Sequence, residues 1–244
     1  MADEIRLVGG DINVVVRVGD TVRRPPEPVG VQALLAWYEQ VGFDGAPRFL
    51  GLDDQGREVL TYVEGEPALA PVPYGDGVVA AIGRLLRRAH DAQEGFVPPP
   101  DPGWAREDTS GSDTEVVGHG DLFWTNVIFR DGVPAALIDW EVARPMTRTL
   151  EVALAATYWA GLRIDSQLVE WGLPLDGRGQ RLRLLCDAYG LDHRERSSLF
   201  DELIRHRRKR LEQHEWRGVV PREIIVANFE WAKAHAEELG KFLD

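Results

Sequence analysis

The sequence predicts an α+β fold with two lobes, because segments typical of strands fill its first quarter and segments typical of helices dominate after residue 148. A chain built from repeated β-α-β units would alternate these two patterns, and this one does not. Its 244 residues are enough for a smaller and a larger lobe that share a cleft. We predict the smaller lobe at residues 1–63 and the larger at 64–244, with a hinge at about 61–66.

The smaller lobe is predicted to contain several strands and one helix. Short runs rich in valine and other apolar residues, separated by glycine and aspartate turns, indicate the strands. They cover residues 4–8, 13–18, 21–24, 48–52 and 58–63. Before the fourth strand, apolar residues recur at spacings of three and four, which indicates a helix. They are Val31, Leu34, Leu35, Tyr38 and Val41.

The larger lobe begins with a predicted helix at residues 76–92, and Asp76 stands where a side chain could cap its first turn. A loop rich in proline and polar residues follows, and residues 116–140 are strand-like again. The chain after residue 148 is predicted to be mostly helical.

A hairpin in the strand-like segment is predicted to gather oxygen-bearing side chains. The pair Asp131-Gly132 favours a tight turn, and a turn centred there places Asn126 opposite Leu137. Asp139 then lies two positions further along the returning strand, roughly 7 Å away. Asp121 reaches the same end of the sheet from the preceding loop. Two carboxylates and an amide oxygen are hard ligands that suit Mg²⁺, the ion used in phosphoryl transfer.

Composition limits the classes of partner. The chain carries 28 basic and 40 acidic residues, a net charge of −12, which disfavours nucleic acid and anionic membranes and suits a cationic small molecule. No apolar run approaches the roughly 18 residues of a membrane span. The acidic start lacks the apolar segment of a signal peptide, and Cys186 has no internal disulfide partner. We therefore expect a cytoplasmic protein.

One basic run, residues 205–210, opposes this acidic character. Leucines at helical spacing predict that the run lies on a helix, and a solvated helix face is the simpler interpretation. The alternative is an anion site, for an acidic substrate or for nucleic acid.

The segment 119–126, His-Gly-Asp-Leu-Phe-Trp-Thr-Asn, and the later 138–141, Ile-Asp-Trp-Glu, resemble the aminoglycoside phosphotransferase and choline kinase branch of the protein-kinase-like fold. The resemblance implies a small antiparallel sheet with one helix, followed by a larger helical lobe that carries a catalytic β-hairpin. It also implies that Asp121 is the catalytic base and that Asn126 and Asp139 hold magnesium. His119 would then be a structural member of the loop.

The resemblance extends to a nucleotide site. A glycine turn between the first two strands could be an ordinary hairpin, but its position implies that Gly10, Asp11 and Asn13 cover the nucleotide phosphates. The hinge would offer backbone groups of Tyr62 and Val63 to the base.

Kinases pair a lysine on the third strand with phosphate, yet the three lysines here are Lys209, Lys233 and Lys241. We assign the role to Arg23, which follows an apolar residue as that lysine usually does, and Arg24 is the rival. Residues 29–36 contain no acid to pair with it, so the usual ion pair is absent or remade.

The sequence therefore predicts a kinase that uses ATP, or GTP, with Mg²⁺ to phosphorylate a hydroxyl of a small molecule. By resemblance and acidity, an aminoglycoside or another cationic antibiotic leads among the acceptors. The alternative is a nucleotide-binding pseudokinase or immunity-type protein without transfer activity. A role at nucleic acid through the basic run is the weakest hypothesis.

Overall fold

A computed structural model describes residues 4–7, 14–68, 75–104, 114–212 and 220–244. Its first part is a five-stranded antiparallel sheet with the strand order β1-β2-β3-β5-β4. The strands are β1 (Glu4–Arg6), β2 (Val16–Val18), β3 (Thr21–Arg24), β4 (Phe49–Leu52) and β5 (Glu58–Thr61). The predicted α+β fold is confirmed, and within the described residues each predicted strand contains an observed one.

The helix α1 (Val29–Gln40) follows β3 and buries four of the five apolar residues that the spacing predicted. The fifth, Val41, lies just beyond the helix and is 45% exposed. Its far end packs on the next helix, α2 (Asp76–Asp91). The Tyr38 hydroxyl donates to Ala89 O at 3.1 Å, and Trp37 Nε1 donates to Ala92 O at 2.8 Å. Both bonds connect α1 with α2 and the residue that follows it. Each gives a partner to a donor that folding removes from water.

Asp76 does not cap α2, contrary to the prediction. The cap position belongs to Gly75, whose backbone is extended, and no side chain bonds to the first turn there. Asp76 is the first helical residue, where its negative charge still faces the positive end of the helix dipole.

Two small sheets follow. Strands β6 (Glu66–Pro67), β8 (Val127–Arg130) and β9 (Val133–Leu137) form one, and β7 (Val116–Gly118) pairs with β10 (Arg144–Met146) in the other. A short 3₁₀ turn, Trp124–Asn126, leads into β8. The β8–β9 turn has positive φ at Asp131 (52°) and Gly132 (75°), as a tight hairpin of this type requires.

The predicted register of this hairpin is wrong by one residue. Val127, not Asn126, pairs with Leu137, because the ladder shifts between Ile128 and Phe129 and leaves Ala135 as an extra residue. The shift occurs next to Pro134, which has no N–H to donate to the ladder. Asn126 O instead accepts from Ile138 N at 2.9 Å, so the two ends of the hairpin still meet.

Five helices complete the chain: α3 (Arg148–Trp159), α4 (Asp165–Glu170), α5 (Arg178–Tyr189), α6 (His193–Glu212) and α7 (Arg222–Gly240). Helix α3 lies at the centre and is buried along nearly its whole length. Thr147 caps it by accepting from Leu150 N at 3.0 Å. Among the described helices, none combines the length and apolar character needed to cross a bilayer. The boundary of the two lobes at residue 63 stays a prediction.

Candidate active site

The loop that carries the predicted catalytic aspartate follows β7, and its backbone is hydrogen-bonded to a side chain of α3. Glu151, which is fully buried, accepts from the backbone N–H groups of His119 (3.1 Å) and Gly120 (3.1 Å to Oε2). A Cβ on Gly118 would lie 2.6 Å from Glu151 Oε2, so only glycine admits this close approach. Burial raises the pKa of Glu151 to about 7, although the Gly120 N–H bond and nearby Arg144 lower it.

His119 is buried, and both of its ring nitrogens have partners. Nε2 donates to Ile138 O at 2.8 Å, which leaves Nδ1 to accept from Asp121 N at 3.4 Å. Burial lowers the pKa of His119, while Asp121 and Asp139 both raise it. The imidazole therefore links the loop to the end of the hairpin, which fits the structural role implied by the sequence.

Asp121 is half-buried, and neighbours hold both of its carboxylate oxygens. Asn126 Nδ2 donates to Asp121 Oδ2 (3.3 Å) and to Asp121 O (3.0 Å). The Tyr158 hydroxyl of α3 donates to Asp121 Oδ1 at 3.4 Å. Burial raises the pKa of Tyr158, so this hydroxyl keeps its proton. These bonds fix the direction of the Asp121 carboxylate at the mouth of the loop.

Asp139 stands just after the hairpin with a positive φ of 64°, which is uncommon for a residue other than glycine. Its side chain is 43% exposed, and its Oδ1 accepts from Arg24 Nη1 at 2.9 Å. One carboxylate oxygen each from Glu27, Asp139 and Glu141 lie within 4.8 Å of one another. This donor set of oxygens suits a hard divalent cation.

Arg24, rather than Arg23, reaches this cluster. Arg24 is only 7% exposed and donates through Nε to the fully buried Glu58 of β5, while its Nη2 lies 3.5 Å from Glu27 Oε1. Arg23 turns away to the other side of β3, where Nε lies 3.7 Å from Asp53 Oδ2.

The acidic partners of Arg24 come from outside α1, in agreement with the absence of an acid from residues 29–36. Glu58 lies on β5, and Glu27 precedes the helix. Glu58 Oε2 also accepts from Glu27 N at 3.1 Å, and Gln32 of α1 joins at 3.4 Å. Burial raises the pKa of Glu27 to about 7, against the lowering effect of Arg24. The ion pair expected of kinases is thus remade with other residues.

Of the remaining residues predicted to contact a nucleotide, two lie within the described ranges and three do not. Gly10, Asp11 and Asn13 lie outside the described residues. Tyr62 donates its backbone N–H to Asp20 O at 2.8 Å, and the Arg17 guanidinium lies 3.6 Å over its ring. Val63 follows in the segment that leads to β6. Their contact with a nucleotide base stays a prediction.

Aromatic rings form a cluster that includes Tyr158, the tyrosine that bonds to Asp121. Phe123, Trp124, Tyr158 and Trp171 contact one another with ring centroids between 4.5 and 6.4 Å apart. The Arg163 guanidinium lies over two of these rings, 4.5 Å from the centroid of Tyr158 and 5.0 Å from that of Trp171.

The basic run at 205–210 is not a uniformly solvated face, contrary to the simpler prediction. Arg208 is exposed, but Arg207 points inward, is 7% exposed, and donates to Asn228 O and Leu162 O, each at 2.6 Å. The side of α6 that carries Arg207 packs against α7 and the segment after α3. The run of basic residues in the sequence therefore did not show which arginine is buried.

Comparisons with known proteins show the family of the chain. The model of the phosphotransferase enzyme family matches residues 104–185. The chain is 38% identical over 211 residues to the trifolitoxin immunity protein of Rhizobium leguminosarum bv. trifolii, covering 84% of this chain and 80% of that protein. The chain belongs to the phosphotransferase enzyme family.

Solved structures give the same fold for this phosphotransferase-family chain. The amicoumacin kinase hAmiN, in complex with AMP-PNP, Ca²⁺ and Ami, superposes with a TM-score of 0.66 at 12% identity, over 98% of this chain and 88% of that one. A choline/ethanolamine kinase family protein from Mesorhizobium loti gives 0.61 at 18% identity, over 99% and 91%. The resemblance in the sequence is confirmed.

Sequence reasoning missed four acids and hydroxyls of this family site: Glu27, Glu58, Glu151 and Tyr158. Glu58, Glu151 and Tyr158 lie more than 30 residues from the residues they contact, whereas Glu27 is three residues from Arg24. None of the four belongs to a spaced motif. The pattern around Glu58 and Glu151 is that of ordinary amphipathic elements, so no local signal marks either residue.

Proposed function

We propose that the protein is a nucleotide-dependent kinase that transfers the terminal phosphoryl group to a hydroxyl of a small molecule. The observation that carries this proposal is the Asp121 carboxylate, held by Asn126 and Tyr158, next to the histidine that also contacts the Asp139 segment. Membership of the phosphotransferase enzyme family supports it.

Asp121 is proposed to orient the acceptor hydroxyl and take its proton. As the acceptor oxygen bonds to phosphorus, the O–H bond breaks and the bond from phosphorus to the leaving diphosphate oxygen breaks with it. Because the direction of the carboxylate is already fixed, less entropy is lost when the reacting groups reach this arrangement. Asn126 and Tyr158 supply that direction through their bonds to opposite oxygens of Asp121.

Asn126 and Asp139 are proposed to hold a divalent cation, Mg²⁺ in the first instance. Glu27 and Glu141 extend the oxygen donor set around Asp139, so the residues fit such an ion. A cation bound there would neutralise charge on the nucleotide phosphates. Arg24 holds Asp139 from the other side and is proposed, in place of Arg23, as the positive charge of the nucleotide site.

ATP is the proposed donor, with GTP as the alternative, and Gly10, Asp11, Asn13, Tyr62 and Val63 are proposed to contact it. The complex of hAmiN with AMP-PNP and Ca²⁺ supports the use of a nucleotide and a divalent cation by this fold. Net charge and resemblance favoured a cationic acceptor such as an aminoglycoside.

A second candidate is a nucleotide-binding immunity protein that performs no transfer. The 38% identity to the trifolitoxin immunity protein favours it, and so does the remade ion pair of Arg24. The two candidates share the nucleotide site and differ in whether Asp121 acts on an acceptor.

Labelled ATP or GTP with Mg²⁺ and a panel of hydroxyl compounds separates the candidates. We expect acceptor-dependent formation of a labelled product, lost in Asp121→Asn and retained in Asp131→Asn, an exposed aspartate of the hairpin turn. Calorimetry measures nucleotide binding on the same samples. Nucleotide binding without transfer to any acceptor would favour the immunity candidate, and no nucleotide binding would contradict both.

A further inference from the structure

Positive charge is concentrated on the acceptor side of Asp121. The Tyr158 hydroxyl contacts Asp121, and the Arg163 guanidinium lies 4.5 Å over the same tyrosine ring. A cationic group held by aromatic faces is fixed in place while its edge still offers N–H donors. Arg163 and Asp121 are thus separated by about one tyrosine side chain.

Arg163 has no acidic partner among the described residues. Its one hydrogen bond there runs from Nη1 to the neutral Gln167 Oε1 at 3.3 Å. Its Nε is buried and meets no acceptor in that part of the chain. A half-buried guanidinium is normally paired with a carboxylate, because removing charge from water without compensation is costly.

Arg207 adds a second charge without a carboxylate in the described structure. It donates to two neutral carbonyls, Leu162 O and Asn228 O, directly beside the segment that carries Arg163. Its burial, together with the charges of Arg163 and Arg210, lowers the pKa of Arg207 to about 9. The three guanidinium groups are therefore near enough to repel one another.

Among the described residues, the acid nearest to Arg163 in the sequence already has a partner. Asp165, two residues after Arg163, pairs with Arg178 at 2.8 Å. The net charge of −12 describes the whole surface, whereas the field at the acceptor depends on the groups within a few ångströms.

We infer that the acceptor carries an anionic group, a carboxylate or a phosphate, which Arg163 binds while Asp121 engages the hydroxyl. The inference rests on the proposed kinase function for the role of Asp121. The planar fork of Arg163 matches two oxygens of either anion, and the charge of Arg207 reinforces its field. A cationic acceptor, such as the aminoglycoside expected from the sequence, would be repelled by the same groups.

Four small probes of matched size test the charge preference: glycerol, glycerate, glycerol 3-phosphate and 3-aminopropane-1,2-diol. Their binding, and that of inorganic phosphate, is measured by calorimetry and tryptophan fluorescence without nucleotide. The variants are Arg163→Gln, Arg163→Lys and, as a matched control, Arg208→Gln on the exposed side of α6. Urea unfolding shows that each variant is folded.

We expect the two anionic diols to bind the wild type at least about tenfold more tightly than the neutral and cationic ones. Arg163→Gln should lose that preference, Arg163→Lys should recover part of it, and Arg208→Gln should keep it. Glycerate against glycerol 3-phosphate distinguishes the carboxylate from the phosphate.

Three results would overturn the inference: equal or tighter binding of the cationic diol, an unchanged preference in Arg163→Gln, or no binding of either anionic diol or phosphate up to about 10 mM. Because nucleotide is absent, these results do not depend on the kinase proposal. Failure of Mg²⁺-nucleotide to bind the wild type, measured separately, would contradict that proposal instead.

Discussion

Arg24 Nη1 lies 2.9 Å from Asp139 Oδ1, although 115 residues separate the two along the chain. The bond joins β3 of the first sheet to the segment that follows the β8–β9 hairpin. Arg24 also bonds to Glu58, which is completely buried, so one guanidinium connects a structural acid with a candidate metal ligand. The position of Asp139 is therefore coupled to the core of the five-stranded sheet.

Replacing Arg24 should destabilise the fold much more than replacing Arg23. Arg24→Met leaves the buried Glu58 without its cationic partner, which costs about 3–5 kcal/mol of unfolding free energy. Arg23→Met should cost about 1 kcal/mol or less, because Asp53 keeps its closer bond to Arg57 at 2.8 Å. Urea unfolding of both variants measures the difference.

The double variant Arg24→Met, Glu58→Met provides the control for this interpretation. Removing both charges should recover most of the lost free energy, since no unpaired buried acid remains. If the double variant is as unstable as Arg24→Met alone, packing rather than charge explains the loss.

Asp121→Asn should lower the rate of phosphoryl transfer by roughly 10²–10⁴-fold, because an amide cannot take the proton of the acceptor. Nucleotide affinity should stay within about threefold, since Asp121 faces the acceptor. Steady-state kinetics and calorimetry check both numbers, with Asp131→Asn as the control for a lost negative charge. Full activity in Asp121→Asn would remove Asp121 from the mechanism.

Asp139→Asn should weaken nucleotide binding in the presence of Mg²⁺ by about tenfold or more and leave metal-free binding nearly unchanged. Asparagine tolerates the positive φ at this position, so the fold should persist. Asp139→Ala should lose the same metal dependence and, in addition, about 1–2 kcal/mol of stability from backbone strain. Identical metal dependence in wild type and Asp139→Asn would exclude Asp139 as a ligand.

Glu151 should make the stability of the protein fall as pH rises. Its pKa is about 7 in the folded chain, above its ordinary value of 4.5, so the folded chain binds more protons than the unfolded chain between these pH values. The unfolding free energy of wild type relative to Glu151→Gln should therefore decrease by roughly 3 kcal/mol between pH 4.5 and 8.

Urea unfolding across this pH range measures the effect, and Glu238→Gln, an exposed residue of α7, is the control. The control should follow the wild type at every pH. A constant difference between wild type and Glu151→Gln would show that Glu151 titrates alike in the folded and unfolded chains.

Local patterns were sufficient for much of the fold. The spacing of apolar residues predicted α1, and valine-rich runs between turns predicted the strands of the first sheet, because both signals act over a few residues. The predicted register of the β8–β9 hairpin was wrong because the ladder shifts by one residue next to Pro134. Such a shift changes every pairing beyond it.

The sequence by itself determined the class of fold, the hairpin and the motif that contains Asp121, Asn126 and Asp139, because the spacing of these residues is set along one continuous segment. Only the tertiary structure decided that Arg24 faces Asp139 and that Glu58 and Glu27 pair with Arg24. It also decided that Arg163 lies over the ring of Tyr158, which bonds to Asp121. Neighbouring residues of a strand point to opposite faces, and which face becomes buried depends on elements that arrive from far along the chain. The charge of a site is decided in the same way, by distant side chains that folding brings together.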